Sequence, residues 1–94
     1  YSTATTASSL LEWHRASQRA GLDVPTVAIG SYATGYGFLA GLLQGIVKAL
    51  PQAAQYGHPR LLFSAHGVPV KFIKEGDPYQ KQCEQTAAAL VQAL

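Results

Sequence analysis

The spacing of apolar residues along the chain predicts three helices. Residues 5–20 carry apolar or small side chains at helical intervals, and Gly21 stands where such a helix would end. A second run of helical spacing covers about residues 37–50. The third segment, residues 78–94, starts with a proline directly after Asp77, an order that is typical of a helix start. Asp77 is therefore predicted to cap the last helix.

Two shorter apolar runs, residues 24–30 and 60–65, predict buried β-strands. Strands that are covered by helices on both faces carry continuous apolar runs of this kind. The resulting order α-β-α-β-α, with strands about 35 residues apart, predicts a right-handed crossover between parallel strands. The expected fold class is therefore α/β, as part of a doubly wound parallel sheet whose other strands lie outside the chain.

Composition narrows the function classes. The chain is 48% hydrophobic and 13% charged, which is typical of a globular protein rather than a disordered one. Its basic residues form no patch interleaved with aromatic residues, so no nucleic-acid partner is expected. The single cysteine, Cys83, excludes an internal disulfide and is compatible with a reducing cytosol. The longest apolar stretch is shorter than the ~20 residues of a membrane span, so no transmembrane segment is expected.

The candidate chemistry lies in the stretch LLFSAHGVP, residues 61–69. His66 follows the second predicted strand by one residue, and doubly wound folds bind ligands beyond the carboxyl ends of their strands. A histidine side chain can accept a proton or bind a metal ion near neutral pH. On position alone, a loop histidine without chemical function is an equal alternative.

The longer segment LLFSAHGVPVKFIKEGDPY resembles the signature of the ferrochelatase family. The matching residues are Leu61, Leu62, Ser64, His66, Gly67, Val68, Pro69, Lys74, Gly76, Asp77 and Tyr79. The opening YSTATTASSL is similar to a second stretch of that family, and the two matches are spaced along the chain as in the family. The resemblance covers most of the chain, whereas residues 21–58 carry little family signal.

The resemblance implies that the chain is a fragment from the middle of ferrochelatase. This enzyme is a lyase that inserts ferrous iron into protoporphyrin IX to give protohaem, the last step of haem synthesis. Residues 1–57 would form the end of a first lobe and the crossing helix, and residues 58–94 would start the second lobe. The implied partners are protoporphyrin IX, ferrous iron and the rest of the parent chain, in the cytoplasm, with or without membrane association of the parent.

The family's remaining catalytic groups lie in a segment after the last helix, so the fragment alone is expected to be inactive. No built-in cofactor is expected. Thr3 occupies the place where some animal members of the family have an iron–sulfur cysteine, so an iron–sulfur cluster is not expected here.

The resemblance also implies roles for individual residues. His66 would be the catalytic residue, as proton acceptor for the porphyrin or as a ligand that delivers the metal. The candidate substrate contacts are Ser2, Thr5, Ser64 and Gly67. Structural roles in the motif fall to Pro69, Gly76, Asp77 and Tyr79.

Two alternatives stay open at this point. In the first, the chain is a non-catalytic tetrapyrrole- or metal-binding module that keeps the motif. In the second, it is part of a related chelatase that inserts another metal, such as cobalt or nickel. A downstream segment with a glutamate and a histidine would favour an enzyme.

Overall fold

The computed structural model describes residues 1–94 and contains helices but no β-strand. The elements are an N-terminal π-helix, Thr3–Ala7, followed by α1, Ser8–Arg19, α2, Tyr36–Ala54, α3, Val70–Lys74, and α4, Tyr79–Ala93. The chain divides into two compact units. The first consists of Tyr1–Ser31 and Val68–Gln80, and the second of Tyr32–Gly67 and Lys81–Leu94. The predicted lobe boundary between residues 57 and 58 concerns a longer protein and stays a prediction.

The predicted α/β fold class is wrong for this chain. Residues 24–30 and 60–65 have no regular secondary structure, so neither the parallel sheet nor the order α-β-α-β-α exists here. An apolar run favours burial, but a strand also needs a neighbouring strand for its backbone N–H and C=O groups. Without that neighbour the side chains stay in solvent: Val27, Ile29 and Leu62 are 95%, 75% and 81% exposed.

In the first unit, helical structure begins earlier than the sequence predicts. Ser2 is the N-cap of the π-helix, because its hydroxyl oxygen accepts a hydrogen bond from the backbone N–H of Ala4 at 3.2 Å. The π-helix continues directly into α1. Ser9, which has capping-box spacing to Glu12, therefore lies inside α1 and not at a helix start.

The segment after α1 turns back along the helix. Gly21 has a φ of +64° in the left-handed region, and the N–H of Leu22 reaches the carbonyl of Ser17 at 2.9 Å. This is the glycine-dependent helix end that the sequence predicts. The indole N–H of Trp13 then donates to the hydroxyl of Thr26 at 2.9 Å, which ties the returning segment to α1.

In the second unit, α2 runs to Ala54, beyond the predicted end near residue 50, and includes Pro51. The hydroxyl of Thr86 on α4 donates to the carbonyl of Ala33 at 2.7 Å and so holds the residues before α2. Leu90 of α4, 3% exposed, is the only buried apolar residue of the chain. None of the helices has the length and apolar character to cross a lipid bilayer.

Candidate functional site

His66 lies near the end of the irregular segment that precedes α3, and its side chain is exposed. The expectation that it directly follows a strand is wrong, because residues 60–65 form none. No group of three or more histidine, cysteine, aspartate or glutamate side chains is placed to hold a metal ion. In this structure His66 is an accessible imidazole.

An open apolar cavity of about 410 Å³ lies in the second unit and reaches the residues directly before His66. Its lining residues come from α2, from the segment 61–65 and from α4. They are Phe38, Leu42, Ile46, Leu61, Leu62, Phe63, Ser64, Ala65, Cys83, Thr86, Ala87 and Leu90. Ser64, a predicted substrate contact, is thus part of this surface, whereas Gly67 is exposed beyond it.

The most constrained polar group of the chain is the carboxylate of Asp77 in the first unit, a residue that is only 5% exposed. Its Oδ2 accepts a hydrogen bond from the hydroxyl of Ser2 at 2.8 Å. The same oxygen accepts from both the backbone N–H and the hydroxyl of Thr3, at 2.7 and 2.6 Å. Its Oδ1 accepts from the backbone N–H of Tyr79 at 2.9 Å. The carboxylate therefore joins the starts of two helices, the N-terminal π-helix and α4.

A short helix delivers Asp77 to this position. Between the predicted strand at residues 60–65 and the last predicted helix, Val70–Lys74 form the short helix α3. Gly76 follows the end of this helix, and its φ of +95° is in the left-handed region that favours glycine. The N–H of Asp77 then donates to the carbonyl of Phe72 at 2.9 Å, so the backbone of Asp77 is fixed as well as its side chain.

The surroundings keep Asp77 ionised. Its pKa lies well below the ordinary value of 3.8, first because of the hydrogen bond from the Thr3 hydroxyl. Burial acts in the opposite direction, and the N–H groups of Tyr79 and Thr3 and the hydroxyl of Ser2 add to the lowering of the pKa. Helix starts also favour an anion. Asp77 is thus a fixed negative charge that caps the start of α4.

Replacement of Asp77 by asparagine is expected to lower the free energy of unfolding at neutral pH. A carboxyl whose folded-state pKa is lowered stabilises the fold above its ordinary pKa, and this contribution is lost as the pH falls towards the folded-state value. The difference between wild type and Asp77→Asn should therefore be constant from about pH 7 to 5 and should shrink below about pH 4. Urea unfolding followed by circular dichroism at each pH measures this difference in the free energy of unfolding.

Glu75→Gln is the matched control for this experiment, because Glu75 is an exposed carboxylate whose only ion pair, to Lys71, spans 3.8 Å. An exposed pair of this kind contributes little to stability, so this variant should unfold like the wild type. If wild type and Asp77→Asn still differ by the same free energy of unfolding at pH 3, the negative charge of Asp77 is not what stabilises the fold.

The structure brings some of the predicted site residues into contact and leaves others apart. Ser2, Asp77 and Tyr79 meet in the hydrogen-bond cluster described above. Gly76 lies outside this cluster, and its N–H donates to the carbonyl of Ile73 at 3.1 Å. Pro69 stands at the N-terminal end of α3 and Thr5 is exposed on the π-helix. The hydroxyl of Ser2 is engaged within the chain, and the substrate contacts assigned to Ser2 and Thr5 stay predictions.

Sequence reasoning missed Thr3, which gives Asp77 two hydrogen bonds. A Ser-Thr pair ahead of a helix is recognisable as a cap, but caps normally accept hydrogen bonds from their own helix. No local pattern indicates that residue 3 donates to a carboxylate 74 positions later.

The whole chain is similar to known proteins. The family model described as Ferrochelatase matches residues 1–94. The Ferrochelatase of Wolbachia sp. subsp. Drosophila simulans (strain wRi) is 39% identical over 94 residues, which are 100% of this chain and 30% of the relative. Those of Caulobacter vibrioides (strain NA1000 / CB15N) and Pelagibacter ubique (strain HTCC1062) are 42% and 38% identical over 100% of this chain and 26% of each relative. No solved structure matches the chain.

Proposed function

This chain belongs to the ferrochelatase family, as its signature predicts, and we propose that it forms part of an enzyme that inserts ferrous iron into protoporphyrin IX to give protohaem. The observation that carries the proposal is the family match over residues 1–94, which includes both segments that resemble the family. The chain spans 26–30% of the length of the relatives described above, so the activity is proposed for a longer protein.

We assign the reactive role to His66. A free-base porphyrin carries two pyrrole N–H protons that must leave as the metal enters, and a neutral imidazole can accept one of them. Neutral imidazole is also a suitable ligand for ferrous iron. The exposure of His66 supports either role, because the imidazole is accessible to a substrate. Ser64 and Gly67 flank it in sequence and are proposed as substrate contacts, together with Ser2 and Thr5 of the first unit.

The N-terminal segment does not fit an iron–sulfur cluster. The place where some family members have a cysteine is taken by Thr3, whose hydroxyl donates to Asp77 at 2.6 Å. Cys83 is the only cysteine of the chain. We therefore propose that iron takes part here as a substrate, and that the residues around Thr3 form a hydrogen-bonded anchor. A cytoplasmic location is proposed as well, with which a single free cysteine is compatible.

The test is an anaerobic assay of the full-length protein that contains this chain, with protoporphyrin IX and ferrous ion. We expect the fluorescence of the free-base porphyrin to disappear over many turnovers while the absorbance of haem appears. Binding of porphyrin without insertion would indicate a non-catalytic module. Faster insertion of cobalt or nickel than of iron would indicate a related chelatase. No observation favours either of these alternatives.

A further inference from the structure

The N-terminal π-helix needs support from outside its own sequence. It consists of Thr-Ala-Thr-Thr-Ala, and its β-branched residues have low helix propensity. Its wide turn is closed by a backbone hydrogen bond from Ala7 to Ser2 at 3.2 Å. The first N–H groups of a helix also have no partners within the helix. A turn of this composition is expected to be unstable unless another part of the chain holds it.

Asp77 supplies that support directly and through Ser2. Its carboxylate accepts the N–H of Thr3, and the Ser2 hydroxyl that donates to it also accepts the N–H of Ala4. Short hydrogen bonds to an ionised carboxylate are among the strongest in proteins. Ser2 and Asp77 are, moreover, the only buried polar residues of the chain. The geometry of the π-helix thus depends on a residue 75 positions away.

The π-helix in turn presents Thr5, which is exposed. The backbone carbonyl of Thr5 accepts a hydrogen bond from the hydroxyl of Ser8 at 3.0 Å, so the backbone at Thr5 is held. Single wide turns of this type often occur at functional sites. We infer that Asp77 is a positioning residue for tetrapyrrole binding, which holds the π-helix so that Thr5 meets the substrate in a fixed orientation.

This inference rests on the proposed function and adds a residue that acts without touching the substrate. A group that orients a binding contact changes the affinity for the substrate and the KM, whereas kcat changes little. His66, as the proposed reactive residue, should show the opposite behaviour. The two roles can therefore be separated by kinetics on one protein.

The experiment compares Thr3→Val and Thr3→Ser in the full-length protein. Valine has the shape of threonine but lacks the hydroxyl that donates to Asp77, whereas serine keeps it. We expect Thr3→Val and Asp77→Asn to raise the Kd for protoporphyrin IX and the KM about tenfold, the effect of losing one hydrogen bond to a charged group. The kcat of these variants should stay within about twofold of the wild-type value. Thr3→Ser, which keeps the hydroxyl, should have the Kd of the wild type. Thr34→Val, at an exposed threonine of the second unit, is the matched control and should leave both values unchanged.

A double variant tests whether Asp77 acts through Thr5. If it does, adding Asp77→Asn to Thr5→Ala should raise the Kd little beyond Thr5→Ala alone.

Unchanged Kd values in Thr3→Val, or a fall in kcat at unchanged Kd, would overturn the inference, and so would fully additive effects in the double variant. If Asp77→Asn fails to fold, the Thr3→Val and Thr3→Ser pair decides. Wild-type protein that binds no protoporphyrin would refute the proposed function itself, whereas normal binding with unaffected variants refutes only the role of Asp77.

Discussion

Substitution of His66 by alanine in the full-length protein is expected to lower the rate of iron insertion by about 10²–10⁴-fold, the usual contribution of a positioned acid–base group. Alanine can neither accept a pyrrole proton nor bind ferrous iron, so the rate should fall whichever of the two roles the imidazole has. Binding of protoporphyrin should survive, because a flat apolar macrocycle binds mainly through burial of its surface. The expected result is therefore a large loss of kcat with a nearly unchanged Kd.

The measurement combines the anaerobic insertion assay with a fluorescence titration of protoporphyrin IX. His58→Ala is the matched control, since His58 is another exposed histidine of the second unit and lies outside the family signature. This control should insert iron at the wild-type rate. Wild-type turnover by His66→Ala would remove His66 from the mechanism. A raised Kd at unchanged kcat would make it a binding residue instead.

The sequence was sufficient to place three of the helices, because their apolar spacing and end signals are local. Gly21 ends α1 with the predicted left-handed conformation, and Asp77 accepts a hydrogen bond from the first residue of α4. The family was recognisable for a different reason: the residues from Leu61 to Tyr79 keep fixed types at fixed spacing, whatever their fold. These features depend on neighbouring residues alone.

The failed predictions concern contacts between distant parts of the chain. Residues 24–30 and 60–65 have the composition of strands, but their composition cannot provide the partners that a sheet needs. The π-helix and the cluster of Ser2, Thr3 and Asp77 were missed because they join the first residues to the end of α3. From the sequence, Thr3 was notable only because some family members have a cysteine at its place. The structure shows that it donates hydrogen bonds to Asp77.

The chain of residues 1–94 on its own is expected to show no multiple-turnover chelatase activity, even though its helices form. Insertion requires that porphyrin, metal and proton acceptor are held together, and well-oriented groups gain effective concentrations on the order of 10⁵–10⁸ M. Leu90 is the only buried apolar residue, and the side chain of His66 is exposed. Packing therefore does not fix the imidazole against a substrate, and water is not excluded from it.

The assay for this prediction is the loss of free-base porphyrin fluorescence when ferrous or zinc ion is added anaerobically to the chain, compared with buffer. The rate should equal that of buffer, because an exposed histidine without fixed partners gives little more than free imidazole in solution. His66→Ala in the same chain is the control and should be indistinguishable from the unchanged chain. A rate that rises in proportion to the concentration of the chain, persists over many turnovers and disappears in His66→Ala would contradict the prediction. It would mean that residues 1–94 hold porphyrin and metal in a productive arrangement by themselves, without burial of the imidazole.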